Sequence, residues 1–388
     1  LDFVFQENIS LIVIKESFYD IATEAIHRFA MARHSSIPSM SMFYPRTDDS
    51  LYFSWALCKV WGQLFTQCSR NFKGQMKEYV YRNFEIRHKQ FFEAPEKISD
   101  LAFLLSADTR DYSIGYKETM KRFATWLMAS YAYGFMTDMV FENEDLEIYS
   151  SFRYIVVSNT KMLSDMMLRK LYQYVENGGN LIVIGLFAIY DDKGVSEPGR
   201  ADKIFTKLPP APGMKKIGKG SIFVIDDKEC IDQYQNSVRV PNYMDEYALS
   251  NPTPDYAIDM LKQTGGQALH SVIFEKNITV SSSVQVLYSL FKHGDNAAIH
   301  IMNVDKAISK NNEQVSLSTP IEGYTRNSNK TACVDVSVKL DFHPKMIYAC
   351  IPESDEEKVI HFMETNGRVH FSIPKNTFYG YCLIKVFR

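Results

Sequence analysis

The most regular patterning of hydrophobic and polar positions lies at residues 152–187. Tyr154–Ser158 is a short apolar, β-branched run, the mark of a strand buried on both faces. Ser164 can cap a helix whose apolar positions, Met167, Leu168, Leu171 and Val175, recur at helical spacing. Asn177-Gly178-Gly179 ends that helix, because glycine reaches the left-handed region without a Cβ clash, and 181–184 is a second buried strand. Strand, helix and strand joined by short turns predict a right-handed parallel crossover. Periodicity alone gives this stretch no function beyond an α/β scaffold.

The same alternation extends to both sides. Strands are expected at 101–106, 135–141 and 221–225 and a helix over 116–133, so that five strands alternate with helices in a flavodoxin-like sheet. Upstream, a strand ends in Glu7-Asn8, and a helix over 17–32 places Phe18, Ile21, Ala25, Ile26 and Phe29 on one face. A strand over 38–44 follows, then a turn and cap through Pro45, Asp48, Asp49 and Ser50, and an apolar helix over 51–65 holding Trp55 and Trp61. Two such βα units neither close a barrel nor cover a sheet, and they read as the last quarter of something larger. A polar-faced helix over 76–95 stops at Pro95 and carries Tyr79, Phe84, His88 and Phe91 for packing between domains; His88 reads as structural rather than catalytic.

Beyond a stretch rich in Asn, Pro, Tyr and Asp (236–256) and a short helix (256–264), the period changes to two. Runs at 284–294, 297–305, 333–340, 345–352, 368–374 and 379–387, separated by Asp, Gly and Asn turns, predict a small antiparallel β-sandwich. The expected units are therefore 1–95, 96–235 and 236–388, in an α/β plus all-β chain.

Composition narrows the function classes. With 46% hydrophobic residues the 388-residue chain can bury sizeable cores, and a net charge of −3 with both signs interspersed leaves no basic footprint for nucleic acid. No run approaches the ~18 apolar residues of a membrane helix. Cys58, Cys68, Cys230, Cys333, Cys350 and Cys382 show no CxxC or His–Cys ligand spacing, which argues against a metal site or a disulfide framework. Gly218-Lys219-Gly220 precedes a strand, whereas a GxGxxG fingerprint follows one and opens a helix; no GxxxxGKS/T run occurs, and no cofactor is expected. The 23 Tyr and 26 Phe suit carbohydrate-facing surfaces as well as large cores. The first residues go straight into a strand-like run without a secretory leader, which reads as the continuation of an upstream region. The Asn8, Asn277 and Asn329 sequons gain no weight without evidence of secretion.

Several passages together resemble the back half of bacterial family-42 β-galactosidases. These are RNFEIRHKQFF leading into DLAFLLSADTRDY, then DLEIYSSFRYIVVSNTKMLSDMMLRKLYQYVENGGNLIVIG followed by DDKG, and finally AAIHIMNVD and RVHFSIPKNTFYGYCLIKV. The resemblance implies the end of a TIM-barrel glycosidase, an amidotransferase-like trimerisation domain and a C-terminal β-sandwich. It implies a carbohydrate substrate with β-linked glycosides, and a homo-oligomer, as a trimer. The sequence departs from the family where most of the barrel, including the strand that carries the acid/base glutamate, has no counterpart. The middle domain also resembles class I glutamine amidotransferases, but Gly185-Leu186 stands where their nucleophilic cysteine would, so that chemistry has no thiolate.

Glycoside hydrolysis uses two carboxylates, and in barrel enzymes these sit at the C-terminal ends of strands. Glu7 occupies such an end. If 38–44 is the eighth strand, Glu7 ends the seventh, where the resembled family carries its nucleophile; a capping or surface carboxylate is the alternative. Tyr44, Arg46 and Asp48 follow the next strand at the same mouth, where a tyrosine can stack on a sugar and Arg and Asp can bond hydroxyls. The same residues also suit a plain turn. Asp108, Arg110 and Asp111 form a charged loop after the first strand of the middle domain, read first as a surface pair. Two function classes remain: a carbohydrate-active enzyme or part of one, and a non-catalytic assembly and carbohydrate-contact module.

Overall fold

The computed structural model describes residues 3–7, 18–45, 48–67, 75–113, 115–197, 199–227, 231, 232, 234–238, 253–304, 333–375, 377, 378 and 380–388. They fall into two compact units, one made of Leu1–Ile98 with Asn277–Arg388 and the other of Ser99–Lys276. The first unit is thus discontinuous, with its boundaries near residues 98 and 276.

The chain enters through β1 (Val4–Glu7), α1 (Phe18–His34), β2 (Ser39–Phe43), α2 (Asp48–Val60), β3 (Leu64–Gln67), α3 (Gln75–Arg87) and a short β4 (Glu96–Lys97). β1, β2 and β3 form a parallel sheet in that order. The third strand departs from the expected helix over 51–65. The helix stops at Val60 because Gly62 turns into the left-handed region (φ 72°), and Gln63 N–H donates to Cys58 O while Gly62 N–H donates to Lys59 O. This pair of bonds is a Schellman cap, which leaves Leu64 free to begin a strand.

The second unit opens with β5 (Leu101–Leu105), α4 (Ala107–Tyr112), α5 (Tyr116–Ala132), β6 (Thr137–Phe141) and α6 (Leu146–Ser150). It continues with β7 (Tyr154–Ser158), α7 (Asp165–Glu176), β8 (Asn180–Ile184), α8 (Arg200–Ile204), β9 (Gly213–Ile217) and β10 (Gly220–Ile225). The strand order is β6-β5-β7-β8-β10-β9, parallel except for β9, which hairpins back on β10. Ser164 Oγ accepts from Met167 N–H to start α7, and the Asn177-Gly178-Gly179 turn ends it. Leu168, Leu171 and Val175 are fully buried against Ile155, Val157, Leu181 and Val183, so the helix meets the sheet on the face its periodicity marks.

Two further helices, α9 (Asp255–Leu261) and α10 (Gln267–Val272), are joined by a π-helical turn over Lys262–Gly266 and belong to this unit. They cover α5. The close approach depends on Gly265 and Gly266, where a Cβ would lie about as close as 3.0 Å to Ala129 Cβ and 2.7 Å to Tyr133 Cβ. Aromatics in and just after the end of α5 pack here. Trp126 is fully buried, and Tyr133 stacks on Phe135 and His270.

The chain then returns to the first unit. A four-stranded antiparallel sheet contains β11 (Ile278–Ser282), β14 (Val334–Val338), β17 (Phe362–Thr365) and β18 (Arg368–Ile373), in the order β11-β14-β18-β17. A six-stranded antiparallel sheet adds β12 (Val286–His293), β13 (Asn296–Asn303), β15 (Met346–Cys350), β16 (Lys358–Val359) and β19 (Tyr381–Phe387), in the order β16-β15-β19-β13-β12-β4. Every residue from Ser50 to Val60 of α2 is buried. Tyr381 N–H donates to Tyr52 Oη (2.6 Å), and the Trp55 ring meets the Tyr381 ring edge-on at 4.9 Å.

Gly62→Ala tests the cap. The left-handed backbone and a Cβ 2.7 Å from the Phe29 ring should together cost about 1–3 kcal/mol in urea denaturation at unchanged m. A loss below about 0.5 kcal/mol would remove the cap from the account of why β3 exists.

Candidate functional site

The parallel sheet β1–β3 presents two different faces. On one, Gln63 Nε2 donates to Ser39 Oγ (2.9 Å) and Gln6 Oε1 (3.2 Å), while Ser41 Oγ donates to Gln63 Oε1 (2.8 Å). Gln63 sits in the cap of α2, so this buried polar network joins the sheet to its helix layer. On the other face the register aligns Phe5 with Met40 and Met40 with Leu64, and Phe5 and Leu64 are 38% and 45% exposed. An open, partly apolar sheet face opposite the helices is the face that a barrel turns inward.

Glu7 is the last residue of β1 and pairs with Met42 in the register. Its side chain lies outside the described residues, as does Arg46 altogether. Tyr44 directly follows β2 and is half-buried; Asp48 is half-buried in the first turn of α2, where a carboxylate complements the helix dipole. Glu7, Tyr44 and Asp48 therefore share the edge of the sheet at the C-terminal ends of its strands. The third strand changes the count on which the role of Glu7 rested. A barrel ending at β3 would make β2 its seventh strand and β1 its sixth, and β2 ends at Phe43 without a carboxylate.

In the α/β unit, the strand order reverses between β5 and β7, the place where doubly wound sheets accept ligands. Here the chain fills that crevice itself. The Ser106 and Thr109 hydroxyls both donate to Met162 O (3.1 and 3.0 Å), and Met162 N–H donates back to Thr109 Oγ1 (2.9 Å). Behind them, buried Asp227 accepts from Arg122 (2.5 Å), Trp126 Nε1 (2.6 Å) and Asn159 Nδ2 (3.0 Å). At the turn after β8, Gly185 takes φ 67° and Leu186 N–H donates to Asn159 Oδ1 (3.4 Å), so neither residue of this turn offers a nucleophilic side chain. Asp108, Arg110 and Asp111 lie in α4, and Arg110 binds Asp111 through two parallel hydrogen bonds (2.6 and 2.8 Å) at the surface.

Sequence patterning gave no sign of Glu142, which ends up beside α4. Burial, opposed by hydrogen bonds from Ser106 and the Ala107 and Asp108 amides and reinforced by the Asp108 charge, pushes its carboxyl up to about 7. A carboxyl raised in the folded state favours folding at low pH, and that contribution is lost as pH climbs from the unfolded value near 4.5 through about 7. Glu142→Gln should therefore stabilise the protein above pH 7, by on the order of 1–3 kcal/mol, with the advantage vanishing below about pH 4.5. Parallel stability–pH curves for the two proteins would show that Glu142 is not the titrating group.

No family model matches this chain, and no curated protein sequence matches it. Solved structures do match. A GH42 β-galactosidase from G. stearothermophilus, in a catalytic-mutant form, aligns over 100% of this chain and 60% of its own length, with a TM-score of 0.60 at 10% identity. The α-L-fucosidase isoenzyme 2 from Paenibacillus thiaminolyticus aligns over 99% of this chain and 65% of its own, with a TM-score of 0.56 at 13% identity. A rhamnosidase from Novosphingobium sp. PP1Y aligns over 100% of this chain and 35% of its own, with a TM-score of 0.57 at 11% identity. The chain thus spans between about a third and two-thirds of the length of these structures. At such identities the likeness is one of fold: a mixed α/β architecture with several sheets, antiparallel ones among them, shared with glycoside hydrolases.

Proposed function

We propose that this chain is the C-terminal portion of a glycoside hydrolase acting on β-linked glycosides. The observation that carries the proposal is the alignment of the whole chain with the GH42 β-galactosidase fold over 60% of that structure. On this reading β1–β3 are the closing strands of a catalytic barrel, Ser99–Lys276 is an amidotransferase-like assembly unit, and the antiparallel sheets are the C-terminal sandwich. The filled crevice and the leucine at Gly185-Leu186 support a structural role for the assembly unit. Fucosidase and rhamnosidase neighbours tie the fold to the reaction class more closely than to one sugar.

Glu7 is the only residue ending β1, β2 or β3 that carries a carboxylate, which keeps it as the candidate catalytic group; Tyr44, Arg46 and Asp48 are candidate substrate contacts. Catalysis needs a second carboxylate about 5–9.5 Å away, and neither β2 nor β3 ends in one. That shortage favours the second reading, a non-catalytic assembly and carbohydrate-contact module, should the rest of the barrel lack an acid/base glutamate too.

The test is an assay on nitrophenyl β-glycosides of the 388-residue chain and of a parent containing the whole barrel. The chain alone should give no turnover and the parent should give it, and Glu7→Gln in the parent should lower kcat by about 10³ or more with folding preserved. Turnover by the chain alone contradicts the division of labour, and an inactive parent selects the second reading. A parent whose kcat survives Glu7→Gln removes Glu7 from catalysis.

The assembly reading also predicts self-association through the α/β unit. Sedimentation of the parent at micromolar concentration should give an oligomer, with a trimer the expected form, and a monomer would dispose of this part of the analogy.

A further inference from the structure

Three side chains remote in sequence converge within the first unit. His88 lies in the turn after α3, Cys350 ends β15, and Glu357 precedes β16; one ligand atom of each lies within 4.8 Å of the other two. His88 Nδ1 is 3.8 Å from Glu357 Oε1. His88 and Cys350 are buried, while Glu357 opens to solvent. The segment carrying Glu357 is tied to the end of α3 a second time, through the ion pair between Arg87 and Asp355. The spacing rules that argued against a metal site see only ligands close together in sequence, and these three are brought together by the fold.

We propose that His88, Cys350 and Glu357 form a binding site for a divalent zinc-class ion. A thiolate, an imidazole and a carboxylate together select a borderline-soft ion such as Zn²⁺ over Mg²⁺ or Ca²⁺. Tetrahedral coordination at bond lengths of about 2.0–2.3 Å requires ligand atoms roughly 3.3–3.7 Å apart. Closing up from the present spacing takes a movement on the order of 1 Å, which the exposed Glu357 side can supply. On binding, the Cys350 thiol gives its proton to solvent, so that ion, thiolate and carboxylate sum to zero charge.

Lys385 is the group that opposes the ion. Its ammonium donates to Glu357 Oε1 at 2.6 Å and hydrogen-bonds the Cys350 sulfur, and it lies 5.5 Å from the Tyr348 and Phe387 ring centroids and 5.9 Å from that of Phe91. These rings and the second carboxylate oxygen keep it housed when Oε1 turns to the ion. Bound metal would pin the end of α3 to the edge of the six-stranded sheet.

The test uses the untagged 388-residue chain, stripped by a chelator and titrated with Co²⁺, then with competing Zn²⁺. We expect one equivalent of Co²⁺ with a thiolate-to-cobalt charge-transfer band that Zn²⁺ removes. Cys350→Ser should abolish the band, and Glu357→Gln, which keeps an oxygen to accept from Lys385, should weaken Co²⁺ about tenfold or more. Absence of a band, or a band and affinity unchanged in both variants, overturns the site.

Discussion

The burial of α2 is the constraint on which the first unit depends. One side of the helix, through the Gln63 cap, holds the parallel sheet; the other presents Tyr52 and Trp55 to β19. With water on neither side, the helix has to satisfy its polar groups internally. Ser54 Oγ donates to Ser50 O, and buried Lys59 pairs with Glu85 at 2.7 Å, an acid that also accepts from Trp55 Nε1. The arrangement explains why a chain that leaves for the α/β unit at Ile98 must return at Asn277. The N-terminal βα elements bury their apolar helix only when the C-terminal sheet covers it.

The polar satisfaction in the α/β unit points the same way for function. A sheet of this order offers a ligand crevice by topology, yet Ser106, Thr109 and Met162 bond one another across it. The charges behind it close on themselves through Asp227. Among the described residues, β1–β3 keeps Phe5 and Leu64 partly exposed on the sheet face away from its helices. On the proposed reading, carbohydrate chemistry is sought at the edge where Glu7, Tyr44 and Asp48 lie.

Much of the α/β unit was legible in the sequence because its signals are local. Ser164, the apolar stripe of α7 and Asn177-Gly178-Gly179 mark a cap, a face and a stop within a few residues of one another. Gly62 was an equally local signal, but it stands within an aromatic and apolar run that hides a helix end, and missing it concealed β3 and miscounted the strands. Other features were beyond sequence patterning. The Gly265-Gly266 approach to α5, the environment of Glu142 and the meeting of His88, Cys350 and Glu357 arise only when distant segments pack. Glu7 was found by its position at a strand end, a position that by itself assigns no role.

The central claim, that the two separated segments of the first unit fold as one body around α2, is most directly tested by native-state hydrogen exchange. The amides of Ser50–Val60 should exchange only through the global opening that also releases β13 and β19, with a common free energy and a common denaturant dependence. Exchange of α2 through a separate opening of lower free energy, while β13 and β19 remain protected, would contradict it.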